Sequence, residues 1–154
     1  MDGNKNAEEL FILTPEDKDR ITEFERRRMG ENPSLEAQML SWDARWRPEA
    51  LDHYLSLGWS FGVKKEGRLV SYLLAQPFIF FRGLTQTLWV EWLAADSDEN
   101  AQKVIEVIYR WARDKHFQSI TLEESQDFAR YFKAAPWAVE SAQGFLVLKT
   151  SKMK

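Results

Sequence analysis

At 154 residues and 18.1 kDa the chain has the length of one ordinary domain. Its 44% hydrophobic content, with seven Trp and ten Phe, excludes a disordered chain, and 21 basic against 24 acidic residues, a net charge of −3, argues against generic nucleic-acid binding. Cysteine is absent, which removes disulfide scaffolds, thiolate zinc sites and cysteine nucleophiles, and His53 and His116 alone do not make a metal site.

Residues 1–9 are polar and acidic and are expected to be loosely ordered at the start of a single domain, 1–154. Leu10-Phe11-Ile12-Leu13 reads as a strand. Thr14 suits an N-cap and Pro15 a first helical position, so a polar helix should run to about Met29 with Ile21 and Phe24 inward, ended by Gly30. Asn32-Pro33 repeats the start signal, and Leu35, Met39, Trp42 and Trp46 form one helical stripe that Pro48 breaks. A short turn of helix through Leu51, Tyr54 and Leu55 follows. Trp59 to Val63 and Leu69 to Ala75 read as two strands around Lys65-Glu66-Gly67, the second apolar on both faces. Pro77 to Phe81 leads to a turn at Arg82-Gly83, and Thr85 to Ala95 forms the next strand. Strict alternation there puts Leu88, Val90, Trp92 and Ala94 on one face and Trp89, Glu91 and Leu93 on the other. Ala101, Val104, Ile105, Ile108, Trp111 and Ala112 then make the apolar stripe of a long helix. Ser119 to Glu123 reads as a strand, Glu124 to Ala134 as a helix, and Trp137 to Glu140 with Phe145 to Lys149 as a closing strand pair. The class is α+β, in the order β-α-α-β-β-β-α-β-α-β-β.

That order resembles the GNAT superfamily of acyl-CoA-dependent N-acyltransferases over essentially the whole chain. Local sequence carries the resemblance in Glu91-Trp92-Leu93-Ala94-Ala95, in Trp111-Ala112-Arg113-Asp114-Lys115-His116-Phe117 and in Ser119-Ile120-Thr121-Leu122-Glu123. The resemblance implies a mixed, mostly antiparallel sheet whose fourth and fifth strands are parallel and splay apart, with a bulge in the fourth. It further implies acetyl-CoA as cofactor, its pantetheine arm held by the backbone of Leu93, Ala94 and Ala95. The family's pyrophosphate loop, patterned Arg/Gln-x-x-Gly-x-Gly/Ala, turns N–H groups and a helix N-terminus onto the anion. Here the segment is Asp96-Ser97-Asp98-Glu99-Asn100-Ala101-Gln102-Lys103, without glycine and about one helical turn shorter. Its three carboxylates favour the helix dipole and repel a phosphate. Lys103 and Arg130 are the cations left as alternative anchors. The general acid that many members place on the last helix corresponds to Phe132, which has no proton to give; Tyr131, one residue away, is the candidate in its place.

Glu91 stands where some members keep a general base, against the alternative of a strand glutamate paired with an arginine. Gly58-Trp59-Ser60-Phe61-Gly62 matches a nucleophile elbow in letters, but it lies within a strand pattern that ends in a tight turn, so Ser60 is read as structural. One of Trp42, Trp46 and Tyr54 is expected to reach the cleft, and Phe78 to Phe81 offers either internal packing or a homodimer contact. Arg26, Arg27 and Arg28 are read as a solvated face. No secretory signal or membrane-length apolar run is present, which fits a cytoplasmic protein with no membrane or nucleic-acid partner. Two readings stand: an acyltransferase acting on a small-molecule or protein amine, and a non-catalytic GNAT-like binding or regulatory domain that has lost acetyl-CoA binding.

Overall fold

The computed structural model describes residues 8–42, 44, 46–81, 84–124, 131, 139–142 and 144–150. Hydrophobic periodicity sets the elements: β1 (Glu8–Ile12), α1 (Lys18–Met29), α2 (Leu35–Trp42), α3 (Pro48–Leu55), β2 (Phe61–Lys65), β3 (Arg68–Phe81) and β4 (Leu84–Ala95). After these come α4 (Asp98–Asp114), β5 (Ser119–Glu123), β6 (Val139–Ala142) and β7 (Phe145–Lys149). The expected helix over 124–134 lies outside the described residues apart from Glu124 and Tyr131.

The strands form a seven-stranded sheet in the order β1-β2-β3-β4-β5-β7-β6. Every neighbouring pair is antiparallel except β4 and β5, whose parallel ladder runs from Thr87 opposite Ser119 to Val90 opposite Leu122. Parallel neighbours need a crossover, and α4 supplies it. Its stripe of Val104, Ile105 and Ile108 is at most 1% exposed, and each such side chain contributes about 1.5–3 kcal/mol by burial. At the paired end of the two strands the Thr87 hydroxyl meets those of Ser119 at 2.8 Å and Thr121 at 3.0 Å. Past Val90 the ladder stops: β5 ends one residue beyond its last pair, at Glu123, while β4 runs on to Ala95.

The sheet divides two cores. One lies under α4 and holds Leu73, Ala75, Leu88, Val90, Leu93 and Ile120 among others. The second lies under α1 and α3 and holds Ile21, Phe24, Leu51, Tyr72, Leu74 and Ala94. Pro77 sits within β3 opposite Leu88, beyond Leu73 where pairing with β2 ends, so its missing N–H leaves no partner unsatisfied there.

Several expectations are corrected. Glu8 and Glu9 are not loose: they pair with Lys65 and Lys64 in register, and Glu9 also reaches Lys64 Nζ at 3.6 Å. Leu13 lies past the strand, its N–H donating to the Ser60 carbonyl at 2.8 Å. α2 stops at Trp42, so Trp46 is not on its stripe, and Leu35, Met39 and Trp42 face solvent. The strict alternation along β4 fails at Glu91. Leu74 faces Trp92 and Ala75 faces Val90, which leaves Glu91 as an extra residue, a β-bulge. Leu93 and Ala95 therefore join Leu88 and Val90 on the α4 side, while Ala94 turns to the other core.

Candidate functional site

The bulge and the end of the β4–β5 ladder fall at the same place, because an extra residue bends and twists the strand that carries it. Glu91 is half-buried there and accepts a 2.7 Å hydrogen bond from Trp89 Nε1. Trp89 is held in turn by stacking on Phe78, ring centroids 5.9 Å apart, and by the edge of Phe145 at the same distance. The carboxylate is thus oriented by a packed indole. From Leu93 to Ala95 the backbone pairs with Leu73, Tyr72 and Ser71 of β3 on one side, while on the other the β5 ladder has already ended.

At the next step along the chain, Ser97 caps α4 by accepting the Asn100 N–H at 3.1 Å, and Asp96 accepts from Asn100 Nδ2 at 2.6 Å. Asp96, Asp98 and Glu99 are all exposed at this helix start. Lys103 is engaged by Glu8 and by Glu99, the latter at 3.5 Å. Those partners hold the lysine pKa above its ordinary value, and the Lys103 hydrogen bond holds the Glu8 carboxyl below its own. Arg130 lies outside the described residues. A hollow of about 310 Å³ beside Ala95 and Asp96 is instead lined by Phe24, Arg27 and Arg28 of α1. Both arginines are exposed, as the sequence implies for a solvated face. Arg27 reaches across to the Leu69 carbonyl at 2.9 Å.

Tyr131 is packed in the α4-side core at 4% exposure, and its backbone carbonyl accepts from Gln102 of α4. Phe132 lies outside the described residues. Ser60 is fully buried and accepts the Ala75 N–H through Oγ, tying the start of β2 to β3, which is the structural role read for it. Of the three candidate aromatics, Trp42 is 65% exposed on α2, Tyr54 packs on the α1/α3 core and Trp46 enters a cavity.

That cavity, of about 610 Å³, opens between α1, α2 and Trp92 of β4. On its wall is a residue that the sequence reading passed over. Glu25 is 3% exposed, with Arg28 Nη1 at 2.7 Å from one carboxylate oxygen and 3.4 Å from the other. Burial pushes its pKa up, against the opposing pull of Arg28. Behind it the fully buried Tyr72 hydroxyl makes no hydrogen bond of good geometry among the described residues. Burial, then the nearby Glu25 charge, pushes the Tyr72 phenol well up.

No family model and no curated protein matches the chain. Solved structures do. PaiA N-acetyltransferase of Thermoplasma acidophilum, in complex with coenzyme A, superposes with a TM-score of 0.66 at 13% identity, covering 92% of this chain and 97% of that one. An acetyltransferase of the GNAT family from Listeria monocytogenes gives 0.61 at 12% identity over 96% of each chain. The chain has the GNAT fold. Diaminobutyrate acetyltransferase EctA of Paenibacillus lautus, in complex with L-2,4-diaminobutyric acid and coenzyme A, is also similar, with a TM-score of 0.62 at 14% identity over 94% of this chain and 96% of that one.

Two of those structures hold coenzyme A, and the residues of this chain suit that group in one part. The backbone beyond the bulge suits an extended arm needing main-chain partners. The start of α4 does not suit a pyrophosphate: its N-terminus is capped by its own side chains and ringed by carboxylates. No helix among the described residues is long and apolar enough to cross a membrane.

Proposed function

We propose that this protein transfers an acyl group from a coenzyme A thioester to an amine, with Glu91 as the group that takes the amine proton. The observation that carries the reading is the coincidence of the bulge, the half-buried Glu91 and the end of the β4–β5 ladder. A thioester cofactor would supply the activated acyl group, its arm held by the backbone of Leu93, Ala94 and Ala95. Glu91 needs only to accept a proton as the amine nitrogen becomes nucleophilic, and its bond from Trp89 orients the carboxylate. Tyr131, packed in the α4-side core, is the candidate to return a proton, but the reading rests on Glu91.

A second reading, a GNAT-fold binding module without catalysis, is favoured by the self-capped, acidic start of α4. The two separate in one experiment: acetyl-CoA is titrated calorimetrically at low salt, and acetyl transfer to a panel of amines is followed with the wild type and Glu91→Gln. Turnover that falls about 10²–10⁴-fold in the variant, with unfolding temperature unchanged, supports the enzyme. Absence of both binding and turnover supports the module.

A further inference from the structure

Beside the turn between β2 and β3 lies a hollow of about 160 Å³, lined by Arg20, Glu23 and Arg27 of α1 and by Gly67, Arg68 and Leu69. Three guanidinium groups thus share one small space. Glu23 is the one carboxylate among these residues, and it lies 3.6 Å from Arg26.

The cations of this hollow are held chiefly by partners that do not neutralise them. Arg27 stands in the last turn of α1, where a cation ordinarily does no more than favour the helix dipole. Here its Nη2 crosses to the Leu69 carbonyl at 2.9 Å, and its guanidinium lies 5.6 Å from the centroid of the Phe24 ring. Carbonyl and ring fix the fork and leave its charge. Leu69 engages one of the guanidinium's N–H groups, and the rest remain for a ligand. Arg68 makes no side-chain hydrogen bond or ion pair among the described residues, and Arg20 meets Asp17 through Nε at 3.4 Å, which leaves its terminal nitrogens open. All three residues are exposed, so salt screens them, but together they raise the potential of the hollow. Its volume is below the range of drug-sized ligands and suits a single anionic group. Phosphate is the anion that planar forks grip through paired bonds.

We infer that the hollow lined by Arg20, Arg27 and Arg68 binds the phosphate group of an anionic ligand, with Arg27 as its fixed centre. The phosphate is free or carried by a larger molecule. Neither Glu91 nor the bulge enters this inference, so it stands apart from the transferase reading.

Calorimetric titration with inorganic phosphate near pH 7.5 and at low salt, where phosphate is largely a dianion, tests the site directly. Expected is saturable binding with a Kd of about 1 mM, weakened about fivefold or more in Arg68→Gln. That substitution breaks no bond made by the side chain among the described residues, so the unfolding temperature should match that of the wild type. Arg27→Lys keeps the net charge and loses the planar fork, and should weaken phosphate by about fivefold as well. Acetate, with a single charge, should bind about tenfold more weakly than phosphate. Phosphate affinity unchanged in Arg27→Lys would reveal diffuse attraction to positive charge and overturn the inference. So would unchanged affinity in Arg68→Gln, acetate binding as tightly as phosphate, or no saturation by about 10 mM phosphate. A competition arm then identifies the source. Displacement of phosphate by acetyl-CoA supports the inference with the acyl donor as the carrier of the phosphate; phosphate binding undiminished by acetyl-CoA supports it with a separate ligand.

Discussion

Replacing Asp98 and Glu99 together by Asn and Gln should move stability and cofactor affinity in opposite directions. Both carboxylates sit in the first turn of α4, where each stabilises the helix dipole by about 0.5 kcal/mol. Removing both costs about 1 kcal/mol, which for a domain of this size lowers the unfolding temperature by about 2–4 °C. The Ser97 cap on Asn100 is untouched, so the helix start should persist. The same two charges oppose an incoming pyrophosphate, so their loss should tighten acetyl-CoA binding about fivefold from a wild-type Kd well above the micromolar range. Glu99 also holds Lys103 at 3.5 Å, and the substitution leaves that cation to Glu8 alone. Calorimetry at about 10 mM salt, where the Debye length is about 30 Å, should show the gain, and about 150 mM salt should shrink it. A fall in unfolding temperature with unchanged or weaker binding would refute the electrostatic reasoning. Micromolar binding by the wild type would refute it too, and would point to the hollow lined by Arg27 and Arg28 as the anchor.

Gly62→Ala should destabilise the protein by about 1–3 kcal/mol in thermal unfolding, because its Cβ would come 3.0 Å from Leu69 Cδ1 and 3.1 Å from both Leu13 and Phe11 side chains. The Glu25 carboxyl is raised by burial, so the folded state holds its proton more tightly than the unfolded chain does, and Glu25 lowers stability as pH climbs from its ordinary value of 4.5 through the raised one. Chemical denaturation of Glu25→Gln against wild type should therefore show the variant gaining relative stability over that window, on top of a constant loss from the Arg28 bond. A difference independent of pH would count against that buried charge.

The element order was legible because each strand and helix declares its period: the stripe of α4 and the turn at Glu66-Gly67 are local signals. The face assignment along β4 was not. A bulge leaves no mark in composition, and the single inserted residue at Glu91 exchanged the faces of Leu93 and Ala94. Glu25 was missed for a different reason. Among Glu23, Arg26, Arg27 and Arg28 it reads as one more surface charge, and only its place in the inward stripe with Ile21 and Phe24 sets it apart. Trp46 was placed on the α2 stripe because spacing alone does not reveal that the helix ends at Trp42.

The turn between β2 and β3 bears on the order in which the protein assembles. Glu66 and Gly67 both have positive φ, 56° and 78°, the two-residue loop whose twist matches paired strands. β2, β3 and β4 can therefore zip as successive hairpins with short loops to close. β1 is different: Ile12 must find Phe61 across the whole of α1, α2 and α3, a closure whose entropy is repaid only when those helices dock on Tyr72 and Leu74. The cavity walled by α1 and α2 is then among the last parts of the molecule to take shape, after the strands that carry Glu91 are in register.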